Sequence, residues 1–151
     1  MKKTEIGVII ISHGNMGREL LACAERILGK QKFVRVLSVI AGDDIALMKR
    51  KVKKAMDSPS LPEKKIILVD IMGGTPANAI LAFVKRTGVE IVSGMNLAMM
   101  LSLFSKRGRY SASELALKEL VSVVCRDSRK GILDMGRKCR ETLLRSGERV
   151  K

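Results

Sequence analysis

Apolar and polar residues change period several times along this chain, and each change marks a new element. Residues 6–12 are almost entirely Ile and Val, as expected of a strand buried on both faces. The run stops at His13-Gly14, and from Met16 the apolar positions Leu20, Ala24, Ile27 and Leu28 recur at helical spacing until Gly29. Residues 33–40 predict a second strand. Gly42-Asp43-Asp44 then breaks the chain and offers a helix cap, and Ile45, Met48, Val52 and Met56 mark one face of a helix whose other side is Lys and Arg. Residues 58–62 read as a loop and 65–70 as a third strand. Thr75 and Pro76 suit the cap and first turn of a helix carrying Ala77, Ile80, Leu81 and Val84 on one face, with Gly88 as its end. Residues 89–93 predict a fourth strand, and Gly94-Met95-Asn96 leads into a Leu- and Met-rich helix through about residue 105. Ser113 can cap a fifth helix with Leu117, Leu120, Val121 and Val124 on its buried side. Ile132-Leu133 is a candidate for a short extra strand. Residues 137–151 form a charged tail, expected to be frayed or weakly helical because its apolar face is too thin to offset the entropy of ordering.

Strands and helices alternating in this way predict right-handed crossovers and an open, mainly parallel α/β sheet with helices on both faces. In such sheets ligands bind beyond the carboxyl ends of strands, where the winding direction reverses. That rule directs attention to Ser12-His13-Gly14-Asn15 after the first strand and to Asp70-Ile71-Met72-Gly73-Gly74-Thr75 after the third.

Composition narrows the chemistry. The 151 residues form a chain of one domain's length with no apolar stretch long enough for a membrane span. There is one histidine, which removes sites built on two imidazoles, and three cysteines without metal-like spacing, so neither metal nor cofactor is expected. The cysteines are expected to be reduced, mostly buried thiols of a cytoplasmic protein. The formal charge is +14, spread along the chain and accompanied by only three Phe and one Tyr for base stacking, so nucleic acid is not the expected partner. A basic α/β module binding nucleic acid or an acidic partner without catalysis is the alternative. A histidine phosphatase would need an Arg before the His and a second His, and both are missing.

His13 is the candidate nucleophile. Glycines at 14 and 17 are expected to let backbone approach a ligand, and a helix N-terminus behind the ring favours an anion. Asp70, ending a second strand at the same edge, can accept a bond from one ring nitrogen, fix the tautomer and leave the other nitrogen free, with little share in the fold itself. Amides at Gly14, Asn15 and Met16, together with Gly73, Gly74 and Thr75, make two amide-rich turns suited to phosphate oxygens. Together these features point to a covalent phosphohistidine.

Val8-Ile9-Ile10-Ile11-Ser12-His13-Gly14, Leu68-Val69-Asp70-Ile71-Met72-Gly73-Gly74-Thr75-Pro76 with Asn78, and Ser93-Gly94-Met95-Asn96-Leu97-Ala98-Met99 resemble the mannose-family IIA component of the bacterial phosphoenolpyruvate:sugar phosphotransferase system. The resemblance runs from about residue 4 to residue 135, which sets a domain over 1–135 and a basic tail over 136–151. It implies that His13 takes phosphate from the carrier protein HPr and passes it to a IIB component, for sugar uptake or its regulation. It implies that Asp70 bonds Nδ1 and leaves Nε2 to accept phosphate. It further implies a cytoplasmic homodimer, associated at most with a membrane permease, in which a C-terminal strand (Ile132-Leu133 here) adds antiparallel to the partner's sheet. Ala98 stands where the family often has Pro, so the helix start after Asn96 is expected to differ.

Overall fold

The computed structural model describes residues 5–40, 42–73, 79–110 and 113–146. Four strands, β1 (Gly7–His13), β2 (Val34–Val39), β3 (Lys65–Val69) and β4 (Val89–Ser93), form one all-parallel sheet in the order β2-β1-β3-β4. Among the described residues the helices that accompany them are α1 (Met16–Leu28), α2 (Ile45–Met56), α3 (Leu97–Lys106), α4 (Glu114–Lys130) and α5 (Met135–Ser146). The two-residue period of the strands divides the core between the faces. Val8, Ile10, Ile66 and Leu68 point to α1, α3 and α4, and Ile9, Ile11, Ile67 and Val69 point to α2. Both faces are covered, which is why β1 and β3 read as unbroken apolar runs.

The caps act where the side chains allow. Asp44 accepts the amide of Leu47 at 2.6 Å, Asn96 that of Met99 at 2.9 Å and Ser113 that of Ala116 at 3.2 Å. With Asn96 as cap, α3 starts at Leu97 and places Ala98 in its first turn, where a Cβ on Gly131 would come within 2.6 Å of the Ala98 methyl.

Several expectations change. The cysteines are not mostly buried, because Cys23 and Cys139 lie on exposed helix positions and Cys125 is half-buried. Phe33 does not begin β2, because it adopts φ +56°, a left-handed conformation outside any strand. Gly74, Thr75, Pro76, Ala77 and Asn78 lie outside the described residues. Beyond them only Ala79 and Ile80 are helical before a 3-10 turn at Leu81–Phe83, and the buried positions are Ala79 and Ile80, while Leu81 and Val84 are exposed. Among the described residues, Ile132-Leu133 joins no strand of this sheet and is exposed, and β4 pairs with β3 alone. Of the tail, expected to be frayed or weakly helical, the described residues up to Ser146 belong to the regular helix α5. Asp134 accepts the amide of Arg137 at 2.9 Å, and Glu141 lies 3.8 Å from Arg137 one turn on, so local polar contacts supply what the thin apolar face does not.

Gly17 also has a different role from the one expected. A Cβ there would sit 2.7 Å from Ile10 Cγ2 and 2.8 Å from Ser12 Oγ, so the glycine serves the close approach of α1 to β1. A Gly17→Ala chain is expected to lose about 1–3 kcal/mol of stability to overpacking, despite alanine's better helix propensity. An unchanged urea midpoint would show that β1 and α1 can part at no cost.

Candidate active site at the sheet switch point

In the strand order β2-β1-β3-β4 the chain leaves β1 to one side for β2 and returns to the other for β3. The crevice between the carboxyl ends of β1 and β3 is the place where winding reverses, and His13 ends β1 there while Asp70 directly follows β3.

The two residues are joined twice. The His13 backbone amide donates to Asp70 Oδ2 at 2.7 Å, and the His13 ring Nδ1 lies 2.9 Å from the same oxygen. The Ile71 amide donates to Asp70 Oδ1 at 2.8 Å. Burial of the Asp70 carboxyl, whose side chain is 8% exposed, opposes its charge, but the His13 amide, the His13 ring and the Ile71 amide outweigh that effect and hold its pKa below the ordinary value. An ionised carboxylate can only accept, so the proton of the contact belongs to His13 Nδ1 and the lone pair to Nε2. The His13 side chain is 52% exposed, so that second nitrogen is accessible from solvent.

Behind the ring, Ser12 is fully buried and its Oγ accepts the Gly17 amide at 2.8 Å. This bond does what a cap should do, since Asn15 at the cap position of α1 makes no side-chain bond of that kind. Sequence reasoning missed Ser12 because its acceptor role spans five residues across a strand-to-helix turn and follows no capping pattern.

Of the predicted phosphate-binding residues, Gly14 turns the chain with φ +53° and donates its amide to the Val39 carbonyl at 2.9 Å. The amides of Asn15 and Met16 have no partner among the described residues and lie at the start of α1, where the helix dipole favours an anion. Gly73, with φ +97°, has open space where a Cβ would project, as has Gly14. Gly74 and Thr75 lie outside the described residues. Asn96 is occupied elsewhere, capping α3 and donating to Ser128 Oγ at 2.8 Å. Met16, Ile40, Ile71 and Met72 are exposed on the loops at this end of the sheet, an apolar rim the sequence pattern did not single out. Among the described residues no three His, Cys, Asp or Glu side chains gather as a metal site, and no helix is long and apolar enough to cross a membrane.

The family model described as "PTS system fructose IIA component" matches residues 7–121. The fructose-specific EIIA component of the phosphotransferase system of Bacillus subtilis (strain 168) is 30% identical over 118 residues, covering 78% of this chain and 77% of that protein. The mannose-specific EIIAB component of Escherichia coli (strain K12) is 26% identical over 128 residues, 84% of this chain but 38% of that longer protein. Among solved structures, the phosphotransferase component EIIA of Streptococcus agalactiae superposes with a TM-score of 0.76 at 29% identity, over 87% of this chain and 98% of that one. The chain belongs to the mannose-type IIA components of the phosphotransferase system, whose work is phosphoryl transfer in sugar uptake. These findings do not favour a nucleic-acid-binding module.

Proposed function

We propose that this protein accepts a phosphoryl group from phosphorylated HPr on Nε2 of His13 and passes it to a IIB component, in the cytoplasm, for sugar uptake or its regulation. The observation that supports this most is the single contact of His13 Nδ1 with the Asp70 carboxylate, which leaves Nε2 as the exposed nucleophile. In the first step the Nε2 lone pair forms the new P–N bond as the carrier's P–N bond breaks, and the carrier's imidazole leaves with that electron pair. The Nδ1 proton stays between ring and Asp70, whose charge offsets the positive charge growing on the imidazole. In the second step the IIB histidine attacks phosphorus and His13 leaves as the neutral ring.

Transfer between imidazoles needs no metal and little driving force. The protein's contribution is to hold the nucleophile in line and to stabilise the equatorial oxygens. The amides of Asn15 and Met16 serve the second task, with Gly14 setting the turn that presents them. Gly73, Gly74 and Thr75 are assigned to the opposite side of the phosphoryl group. The apolar rim of Met16, Ile40, Ile71 and Met72 suits docking of two successive protein partners, each releasing water from the site as it closes over it. Residues 1–135 are assigned to the transfer domain and 136–151 to the basic tail outside it. The test is incubation with labelled phosphoenolpyruvate, enzyme I and HPr. One acid-labile, alkali-stable phosphoryl group per chain is expected, and no labelling refutes the reading.

The same reading makes the protein a homodimer. The outer edge of β4 has no strand beside it among the described residues, and Met72, Leu81 and Val84 are exposed near that edge. An open parallel edge invites pairing. Ile132 and Leu133, exposed in this chain, are assigned to the partner's β4 edge. Light scattering at micromolar concentration is expected to give twice the 16.6 kDa chain mass, and a mass near 16.6 kDa contradicts the exchange.

A further inference from the structure

The strong positive charge and the helix α5 are both left unused by phosphoryl transfer. Part of that charge lies on the helix itself. Its twelve residues, Met135–Ser146, carry Arg137, Lys138, Arg140 and Arg145 against the single acid Glu141. Nearly every described position of the helix is exposed, Met135 to 68%, and no other element packs closely against it among the described residues. A helix this short is marginal in water without a surface to lie on.

The order of its side chains says what kind of surface that is. At about 100° per residue, Met135, Cys139 and Leu143 lie within an arc of about 80°. Gly136 and Thr142 flank that arc with small or neutral residues. Lys138 and Arg140 stand about 100° to either side of the arc's centre, and Glu141 lies near the opposite pole. Nucleic acid would reward the basic residues but give the apolar stripe nothing to enter. An apolar stripe flanked on both sides by cations, with the acid turned away, fits the boundary of an anionic bilayer, where the stripe enters the acyl region and long basic side chains reach the phosphates.

We propose that α5 is a peripheral membrane anchor, laying Met135 and Cys139, continued by Leu143, into the surface of an anionic lipid bilayer while Lys138 and Arg140 contact headgroup phosphates. Three apolar side chains hold poorly by themselves, so binding depends on anionic lipid and weakens with salt. This surface lies outside the phosphoryl site and does not rest on the function proposed for it.

The test is co-sedimentation of the full chain with vesicles of phosphatidylcholine alone, or mixed with phosphatidylglycerol. Binding is expected only to the mixed vesicles. Lys138→Gln with Arg140→Gln is expected to lower the partition roughly 30-fold, about fivefold for each basic residue removed. Met135→Ser is expected to lower it several-fold through lost apolar contact. Lys49→Gln with Arg50→Gln removes the same charge from exposed positions on α2 and is expected to change it by no more than about twofold. An equal loss in the α2 variant would trace binding to diffuse charge and overturn the proposal. So would an unchanged partition in Met135→Ser, which would mean attraction without entry into the bilayer. Retention on an RNA oligonucleotide with indifference to anionic vesicles would assign the helix to nucleic acid. A Met135→Ser chain that loses dimer mass but keeps vesicle binding would assign the stripe to a second copy. Labelling from HPr is expected to be the same in all these variants, so its outcome is read separately.

Discussion

A His13→Ala chain is expected to take no label from phosphoenolpyruvate, enzyme I and HPr, while remaining folded. His13 is the one histidine of the chain, so no second imidazole can substitute. Its ring is half exposed and its loss removes one of three N–H donors to Asp70. The two backbone amides remain on the carboxylate and keep the carboxyl ends of β1 and β3 joined. The expected change in urea midpoint is therefore small, about 1 kcal/mol or less in stability, consistent with one partly exposed hydrogen bond. Label that survives in His13→Ala would place the phosphoryl group on another residue and end the assignment. Loss of label together with loss of folding would leave the assignment to His13→Gln, which keeps most of the side-chain volume.

Asp70→Asn is expected to slow transfer by about 10- to 1000-fold, in line with loss of a charge-assisted hydrogen bond at a reacting group. The geometry makes this more than a change of charge. Asp70 receives two N–H donors at Oδ2 and one at Oδ1. A side-chain amide has one oxygen to accept with, so either orientation of the substituted group sets its NH2 against an N–H donor. If the oxygen faces His13, the Ile71 amide is left unpaired. If it faces Ile71, the backbone and ring donors of His13 both lose the oxygen they share, and the ring is free to turn. From sequence Asp70 is expected to have little share in the fold; the three converging donors are the reason a larger share is now predicted. A stability loss of about 1–3 kcal/mol is expected at neutral pH. The sign of its pH dependence follows from the lowered pKa of Asp70. The carboxylate's stabilisation is fully present above the ordinary aspartate value of about 4 and is lost as pH falls through the lower folded value. The gap between wild type and Asp70→Asn is thus expected to close in acid. A gap that stays constant down to the acid transition, or equal transfer rates in the two proteins, would show that the carboxylate is not what holds the ring.

Local sequence determines a large part of this molecule. The β-branched runs of β1 and β3 can be buried only between two layers, and Asp44, Asn96 and Ser113 cap their helices by contacts three residues long. These signals survive in any context because the interactions lie within one turn or one pleat. The site was partly legible for the same reason, since a strand ending in His13-Gly14 and another ending in Asp70 place both side chains at carboxyl ends whatever the strand order. The contact between them was anticipated from the shared edge and the family resemblance, but its geometry rests on tertiary pairing. It joins residues 57 apart and exists because β3 pairs with β1 in register, Ile11 beside Val69, which no local pattern encodes. Packing likewise decided the role of Gly17, set by Ile10 and Ser12 pressing on α1, and let β2 begin only after a left-handed Phe33. Around Ile80 it buried Ala79 and Ile80 and left Leu81 and Val84 exposed, although the helical period had placed the latter pair on the covered face. In each case the sequence supplies a side chain's preference at low energetic cost to change. Only the assembled sheet and its covering helices supply the steric exclusions and paired hydrogen bonds large enough to override it.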